Sequence, residues 1–374
     1  MRLPLILSLY IGRQFLFAVL ISGLVMLLIL GLVDLLELIR RASSVAKGVP
    51  FYVVIELALL KLPTDAEKIY PFAFLIGGMV ALTKLTRNSE LVIMRAAGVS
   101  VWQFLMPGIV MALAIGVVIV TIINPIAASM VSQYDKVEGK YITGKASLLS
   151  ISPSGLWLRQ VGEKGISFHG TNAPEYILHA MRMDQSSLEL DQVIIFLFDA
   201  NHRFLVRIDA PTANLSTGRW TVHNAVLSAP EMVPQSVPEY VMTTQLTLSQ
   251  IQDSFSAPET FSFWQLPAFI EVLEKAGFSA LQHKLHFHSL MALPVLLAGM
   301  LMLSAVFSMR SARRGRTGAI VVVGMVAGYL FYFAANVIYT LGASGSLPVV
   351  LAAWAPSLVV TMFAAAALLH LEDG

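Results

Sequence analysis

The sequence predicts a helical membrane protein of six spans, with an all-β domain inserted between spans three and four. Three observations carry that reading. Residues 317–371, 55 in a row, contain no Asp, Glu, Lys or Arg, and Gly342-Ala-Ser-Gly-Ser-Leu-Pro348 breaks them in the middle. A bilayer core needs about 20 apolar residues per helix, so this block holds two spans and a turn. Hydrophobic residues are 56% of the chain and charged residues 13%, against roughly a quarter charged in a soluble domain. From about residue 135 to 285 the character changes: most acidic residues fall there, among short alternating apolar segments.

The first span covers about residues 15–36. Its uncharged run, residues 14–33, is 20 residues long. That exceeds a signal-peptide core, and no small-x-small cleavage site follows, so it reads as a retained helix. The second region, residues 51–83, is interrupted by Lys61-Leu-Pro-Thr-Asp-Ala-Glu-Lys68; Pro63 and Pro71 should bend or break it. The third span, residues 101–123, ends at Asn124-Pro125. The fourth covers residues 289–309 with Pro294 inside, and the last pair cover 317–341 and 347–369. The division expected is residues 1–134 (spans one to three, with a short helix at about 88–98), 135–266 (the β-domain) and 267–374 (a helical return and spans four to six).

Within the insert, residues 155–160, 193–198, 203–208 and 219–227 alternate as strands do. Gly162, Gly165, Asn201, Gly218 and Pro230 stand as turn residues between them. This is the pattern of a small sandwich or barrel. Basic residues in short loops set orientation. Arg2 and Arg13, then Lys84, Arg87 and Arg95, then Arg310, Arg313, Arg314 and Arg316 all fall on one side if the N-terminus is inside. Both termini are then cytoplasmic and the β-domain lies outside. Arg40, Arg41 and Lys47 fall outside, against the rule.

No catalytic constellation stands out. Cysteine is absent, which excludes disulfides, thiolate metal sites and a Cys nucleophile. Gly139-Lys-Tyr-Ile-Thr-Gly-Lys145 matches a phosphate-binding loop for seven positions, but Ala146 stands where a magnesium-binding hydroxyl is required. His283, His286 and His288 lack a carboxylate to complete a metal set and read as boundary residues. Basic residues cluster only at membrane edges, which argues against nucleic acid. No cofactor, metal site or catalytic residue is expected.

Two segments carry a functional reading. Arg87-Asn-Ser-Glu-Leu-Val-Ile-Met-Arg-Ala-Ala-Gly98 reads as a compact helix. Asn88 or Ser89 suits the N-cap, Glu90 the positive end and Gly98 the C′ position. Leu91 and Met94 share a face with Arg87 and Arg95 near by. Such a helix between two spans either docks into a motor protein or is an ordinary interfacial loop; spacing leaves both open. Arg40 and Arg41 follow Asp34 and Glu37 by about a turn, so they either pair locally or offer phosphates a basic patch.

Taken in order, several segments resemble the LptF/LptG permease family. They are Tyr10-Ile-Gly-Arg13, Leu62-Pro-Thr-Asp65 with Tyr70-Pro71, Ser89-Glu-Leu-Val-Ile-Met-Arg-Ala-Ala-Gly-Val-Ser100, Asn124-Pro125, Ser147-Leu-Leu-Ser150 and Gly155-Leu-Trp157. The resemblance covers nearly the whole chain and is nearer the G branch. It implies a jellyroll-like periplasmic domain and a Gram-negative inner-membrane location. It implies a lipopolysaccharide-transporting ABC permease subunit serving outer-membrane biogenesis. The implied partners are an LptF-type permease, an LptB-type ATPase dimer, an LptC-type single-span protein and a periplasmic bridge protein. Arg87, Ser89, Glu90, Leu91, Met94, Arg95 and Gly98 would couple to the ATPase, and Arg40, Arg41 and Lys136 would meet the headgroup phosphates. Asp34 stands where the family carries a lysine. The rival readings are an ABC-type subunit for another lipid or a lipoprotein, and a membrane scaffold for a β-domain.

Overall fold

The computed structural model describes residues 5–44, 49–143, 156–168, 171–183, 189–199, 201–216, 219–230, 232–244, 257–275, 279–311 and 317–373. Six helices among these are long and apolar enough to cross a membrane: Leu5–Ser43, Phe51–Arg87, Val101–Ile142, Leu281–Met309, Val322–Ala343 and Val349–Leu371. The chain divides into two compact units. One is Met1–Tyr134 with Pro258–Leu266 and Leu281–Gly374, and the other is Asp135–Ala257 with Pro267–Ala280. Arg313, Arg314, Arg316, Lys47 and residues 144–150 of the sequence reading lie outside the described residues.

In chain order the helices are α1 (Leu5–Ser43), α2 (Phe51–Arg87), α3 (Glu90–Ala96), α4 (Val101–Val118), α5 (Asn124–Glu138), α6 (Leu266–Lys275), α7 (Leu281–Ser311), α8 (Thr317–Ala343) and α9 (Val349–Asp373). The 39 residues of α1 make a rod roughly 58 Å long at 1.5 Å per residue, about twice the hydrocarbon thickness. The apolar middle expected as a span is therefore only part of the helix. Pro63 and Pro71 do not break α2, which is helical from Phe51 to Arg87. Each proline removes a donor, from the carbonyls of Leu59 and Glu67, and packed neighbours make that tolerable in a membrane helix.

The third span does not end at Asn124-Pro125. A π-helical turn, Ile119–Ile123, joins α4 to α5, and the helix runs on to residue 142. Pro125 cannot donate to the carbonyl of Thr121. Trp264 does so instead, its indole Nε1 lying 3.1 Å from that oxygen. The widened turn also places Asn124, 2% exposed, so that its Oδ1 accepts from the Phe263 amide at 2.7 Å. The described part of the phosphate-loop lookalike, Gly139–Thr143, is a second π-helical turn, with no strand before it.

The membrane unit packs around α7, which touches α2, α4, α8 and α9. Its Leu297, Leu301 and Ala305 are fully buried, with Phe15 of α1, Leu75 and Met79 of α2 and Phe104 of α4 in the same core. The helices meet at small residues, as lipid-embedded helices do. A Cβ on Gly116 would stand 2.5 Å from Cα of Pro294, and one on Gly77 2.5 Å from Cα of Val19.

The other unit is built on six antiparallel strands in simple succession: β1 (Leu156–Phe168), β2 (Thr171–Met183), β3 (Glu189–Phe198), β4 (Phe204–Ser216), β5 (Arg219–Ser228) and β6 (Gln235–Thr243). Cross-strand partners are buried together, as in Leu178↔Ile195, Ile195↔Ile208 and Ala213↔Val222. β2 and β5 are three strands apart, roughly 14 Å across a flat sheet. Yet the Trp220 indole of β5 donates to the Tyr176 hydroxyl of β2 at 3.2 Å, and Tyr176 donates to Thr244 Oγ1 at 3.2 Å. The sheet is therefore strongly curved and wraps its own core. Burial pushes the Tyr176 hydroxyl above its ordinary pKa, against the two hydrogen bonds.

The four alternating segments read from sequence lie in β1, β3, β4 and β5. Gly162 and Gly165 are not turn residues between strands; they lie inside β1, where its register breaks. Two strands escaped the pattern because each contains proline. Pro174 in β2 sits where the pairing with β1 shifts and that with β3 has not begun. Pro238 lies in β6, an edge strand with an exposed face, where a missing donor costs little.

Two outcomes follow. Tyr176→Phe removes the acceptor of a buried indole and should cost the insert about 1–3 kcal/mol, read as faster amide exchange in β2 and β5 of the full chain. Gly77→Ala should lower the thermal midpoint of the detergent-solubilised protein through overpacking worth about 1–3 kcal/mol. Gly12→Ala, whose new Cβ would have 4.0 Å of room, should leave the midpoint unchanged.

Candidate functional site

The segment joining spans two and three is a tightly specified hairpin. α2 ends at Arg87, and Ser89 takes a left-handed conformation (φ 61°) with no side-chain cap bond. The expectation that Asn88 or Ser89 caps α3 is thus corrected. Asn88 bonds the Glu90 carboxylate instead, its Nδ2 donating to Oε1 at 3.1 Å. The Tyr10 hydroxyl of α1 donates to the other oxygen of Glu90 at 3.1 Å. Lys84 Nζ donates to Gln14 Oε1 at 3.1 Å, a second tie between this hairpin and α1. Gly98 has φ 84°. Its amide reaches the Arg95 carbonyl while the Val99 amide reaches that of Met94, closing the helix as a Schellman motif. Ser100 and Gln103 then form a reciprocal capping box that starts α4.

The faces of α3 are the reverse of what a docking reading of Leu91 and Met94 requires. Both are buried, at 6% and 8% exposure, in the core shared with α1 and α2. Val92 and Ile93, at 60% and 66%, point away from the bundle, with Arg87 and Arg95 exposed beside them. α3 is an anchored plug with an apolar outer face. Sequence could have found that face only by knowing which side of a seven-residue helix the bundle occupies.

At the far end of α1, Arg40 and Arg41 are both exposed, but they differ. Arg41 Nε donates to Glu37 Oε1 at 3.0 Å, one turn back. Arg40 makes no side-chain hydrogen bond or ion pair among the described residues. Asp34 pairs with Lys61 of α2 at 2.6 Å, both partly buried. Lys61 thus brings a cation to the level of α1 where Asp34 had placed an acid, a partner that only helix packing reveals. Asp65, 2% exposed, lies 3.5 Å from Lys68. Lys136 lies on α5, in the unit that carries the sheet. His283 and His286 are buried on α7, and the His283 ring meets Phe261 edge-on at 5.7 Å.

Asn124 was read as the end of a span and as one segment of the family resemblance. It is a buried clamp: its Oδ1 takes the Phe263 amide, and its side chain stands beside the Glu67 carboxylate of α2. An Asn immediately before a proline, at the end of an apolar run, is the sequence signal that could have flagged it.

The model of the family described as lipopolysaccharide export system permease LptF/LptG matches residues 9–370. The chain is 26% identical over 358 residues to the lipopolysaccharide export system permease protein LptG of Haemophilus influenzae, covering 94% of each. It is 25% identical over 366 residues to the LptG of Escherichia coli K12, again covering 94% of each. With six spans, an antiparallel insert between the third and fourth, and a family match from end to end, the chain belongs to the LptF/LptG family.

Proposed function

We propose that this chain is an inner-membrane permease subunit of an ABC transporter that extracts lipopolysaccharide and passes it to a periplasmic bridge. It works as the G-type half of a heterodimer with an LptF-type partner, on an LptB-type ATPase dimer and beside an LptC-type helix. The termini are cytoplasmic and the curved sheet is periplasmic, where it receives the lipid. The observation that carries the reading is the hairpin at α3. Its apolar outer face is open to a partner, its inner face is embedded in the helix core, and Tyr10 ties it to α1.

The chain itself performs no bond chemistry; ATP hydrolysis belongs to the separate ATPase. Val92 and Ile93 enter the ATPase groove, with Arg87 and Arg95 at its rim. Leu91, Met94 and the Glu90–Tyr10 bond transmit the displacement to α1. Ser89 and Gly98, both in left-handed conformations, fix the angles at which the hairpin leaves α2 and enters α4. The outer half of α1 exposes a long apolar face, Leu20, Leu24, Leu28 and Leu32 among it, suited to acyl chains or a neighbouring helix. At the end of that face Arg40, whose guanidinium has no hydrogen-bond or ion-pair partner among the described residues, meets a phosphate, with Arg41 in a supporting role.

Val92→Asp with Ile93→Asp should weaken capture of the ATPase at least about tenfold in a pull-down from membranes, since apolar anchors of an interface contribute more than about 1 kcal/mol each. The same variants should leave the permease folded. Unchanged capture would sink the docking face. Arg40→Ala should weaken lipopolysaccharide crosslinking about tenfold, as loss of a charge-assisted bond of about 1.5 kcal/mol or more implies. Arg41→Ala should do so less, because Glu37 already holds that guanidinium.

A further inference from the structure

The membrane unit contains a cavity of about 350 Å³ between α2, α7, α8, α9 and the short turn Pro258–Thr260. That is the lower end of the range for small-ligand sites, about 300–1,000 Å³. It lies apart from α3 and from Arg40. One end is apolar, walled by Leu293, Leu296 and Met300; the other is polar, with Glu67, Glu259 and His286. We propose that this cavity binds a primary ammonium group carried on an apolar stem.

The argument starts from His286. It is 7% exposed, it lines the cavity, and its Nε2 is buried with no hydrogen-bond partner. A buried polar atom left unmade costs about 1–3 kcal/mol, and a ligand inside the cavity would remove that cost. The two carboxylates decide which ligand. Lys68 also lines the cavity, but its ammonium is 3.5 Å from Asp65, a neighbour on α2. Lys68 also acts on Glu67, but Glu67, with Asn124 beside it, and Glu259 supply the carboxylate acceptors of the polar end. An anion would meet two acids. An alkyl chain alone would leave the acceptors unsatisfied. The described residues hold no group of three metal-ligating side chains. An ammonium has three donors and no acceptor, so it suits an end lined by acceptors, the carboxylates and an imidazole nitrogen in the neutral acceptor form, without needing all of them at once. Tyr332, 37% exposed, stands on the lining toward the outside.

The amine has two possible sources, the headgroup of a bilayer lipid or a free amine from water. Full-length protein in phosphatidylcholine nanodiscs, whose headgroup nitrogen carries no N–H, is titrated with octylammonium or octanoate. Bound ligand is then counted by native mass spectrometry. Octylammonium should be retained at least about tenfold better than octanoate, as one charge-assisted bond implies. Glu259→Gln and Leu293→Trp should each lower its retention about fivefold or more. Replacing half the lipid by phosphatidylethanolamine distinguishes the sources. Displacement of octylammonium, with ethanolamine lipid retained, identifies a headgroup; unchanged binding identifies a free amine. Equal retention of octylammonium and octanoate by the unaltered chain overturns the proposal, whether or not the variants fold. So does octylammonium binding that folded Glu259→Gln and Leu293→Trp proteins leave intact.

Discussion

Close approach of helix backbones to α7 is the constraint on which the membrane unit depends. Lipid tails are as apolar as leucine, so no hydrophobic drive holds the spans together. What remains is dispersion between surfaces that fit, and that falls steeply with a gap of half an ångström. α4 meets α7 at Gly116, where a Cβ would stand 2.5 Å from Pro294. α9 meets it at Gly299, where a Cβ would stand 2.5 Å from Thr361 Oγ1. α2 holds α1 in the same way, through Gly77. α1 and α8 are correspondingly the helices with the most exposed apolar side chains, and they are the surfaces left for lipid or for another chain.

Polar groups inside this frame follow from what the backbone leaves unsatisfied. Pro125 orphans the Thr121 carbonyl, and Trp264 fills it. The π-helical turn before it re-aims Asn124, which then binds the connector at Phe263. These two bonds seat Pro258–Leu266 in the membrane unit and so bring Glu259 to the cavity beside Glu67 and His286. One proline in the third span thus leads, through donor accounting, to the composition of a pocket formed by other helices.

Force transmission in the proposed mechanism has the same origin. α3 has only seven residues, too few to hold itself in water. It persists because both ends are fixed by hydrogen bonds and because Leu91 and Met94 are set into the core. A rigid short helix with two buried side chains and one tie to α1 moves as part of the bundle rather than as a loop.

The six spans, the inserted β-domain, the short helix with glycine at its end and the two arginines beyond span one could all be read along the chain. Each is a local property, set by apolar run length, by period-two alternation or by a residue with special backbone preferences. The strand content was legible only where alternation was clean; Pro174 and Pro238 hid β2 and β6. The unbroken passage of α2 through Pro63 and Pro71 comes from packing, because neighbouring helices determine whether a lost donor is tolerated. Packing also set Val92 and Ile93 outward rather than Leu91 and Met94, and brought Lys61 to Asp34. Those outcomes depend on which side of each helix meets its neighbour, and a contact between Asp34 and Lys61, or among Glu67, Glu259 and His286, joins residues that no local pattern relates.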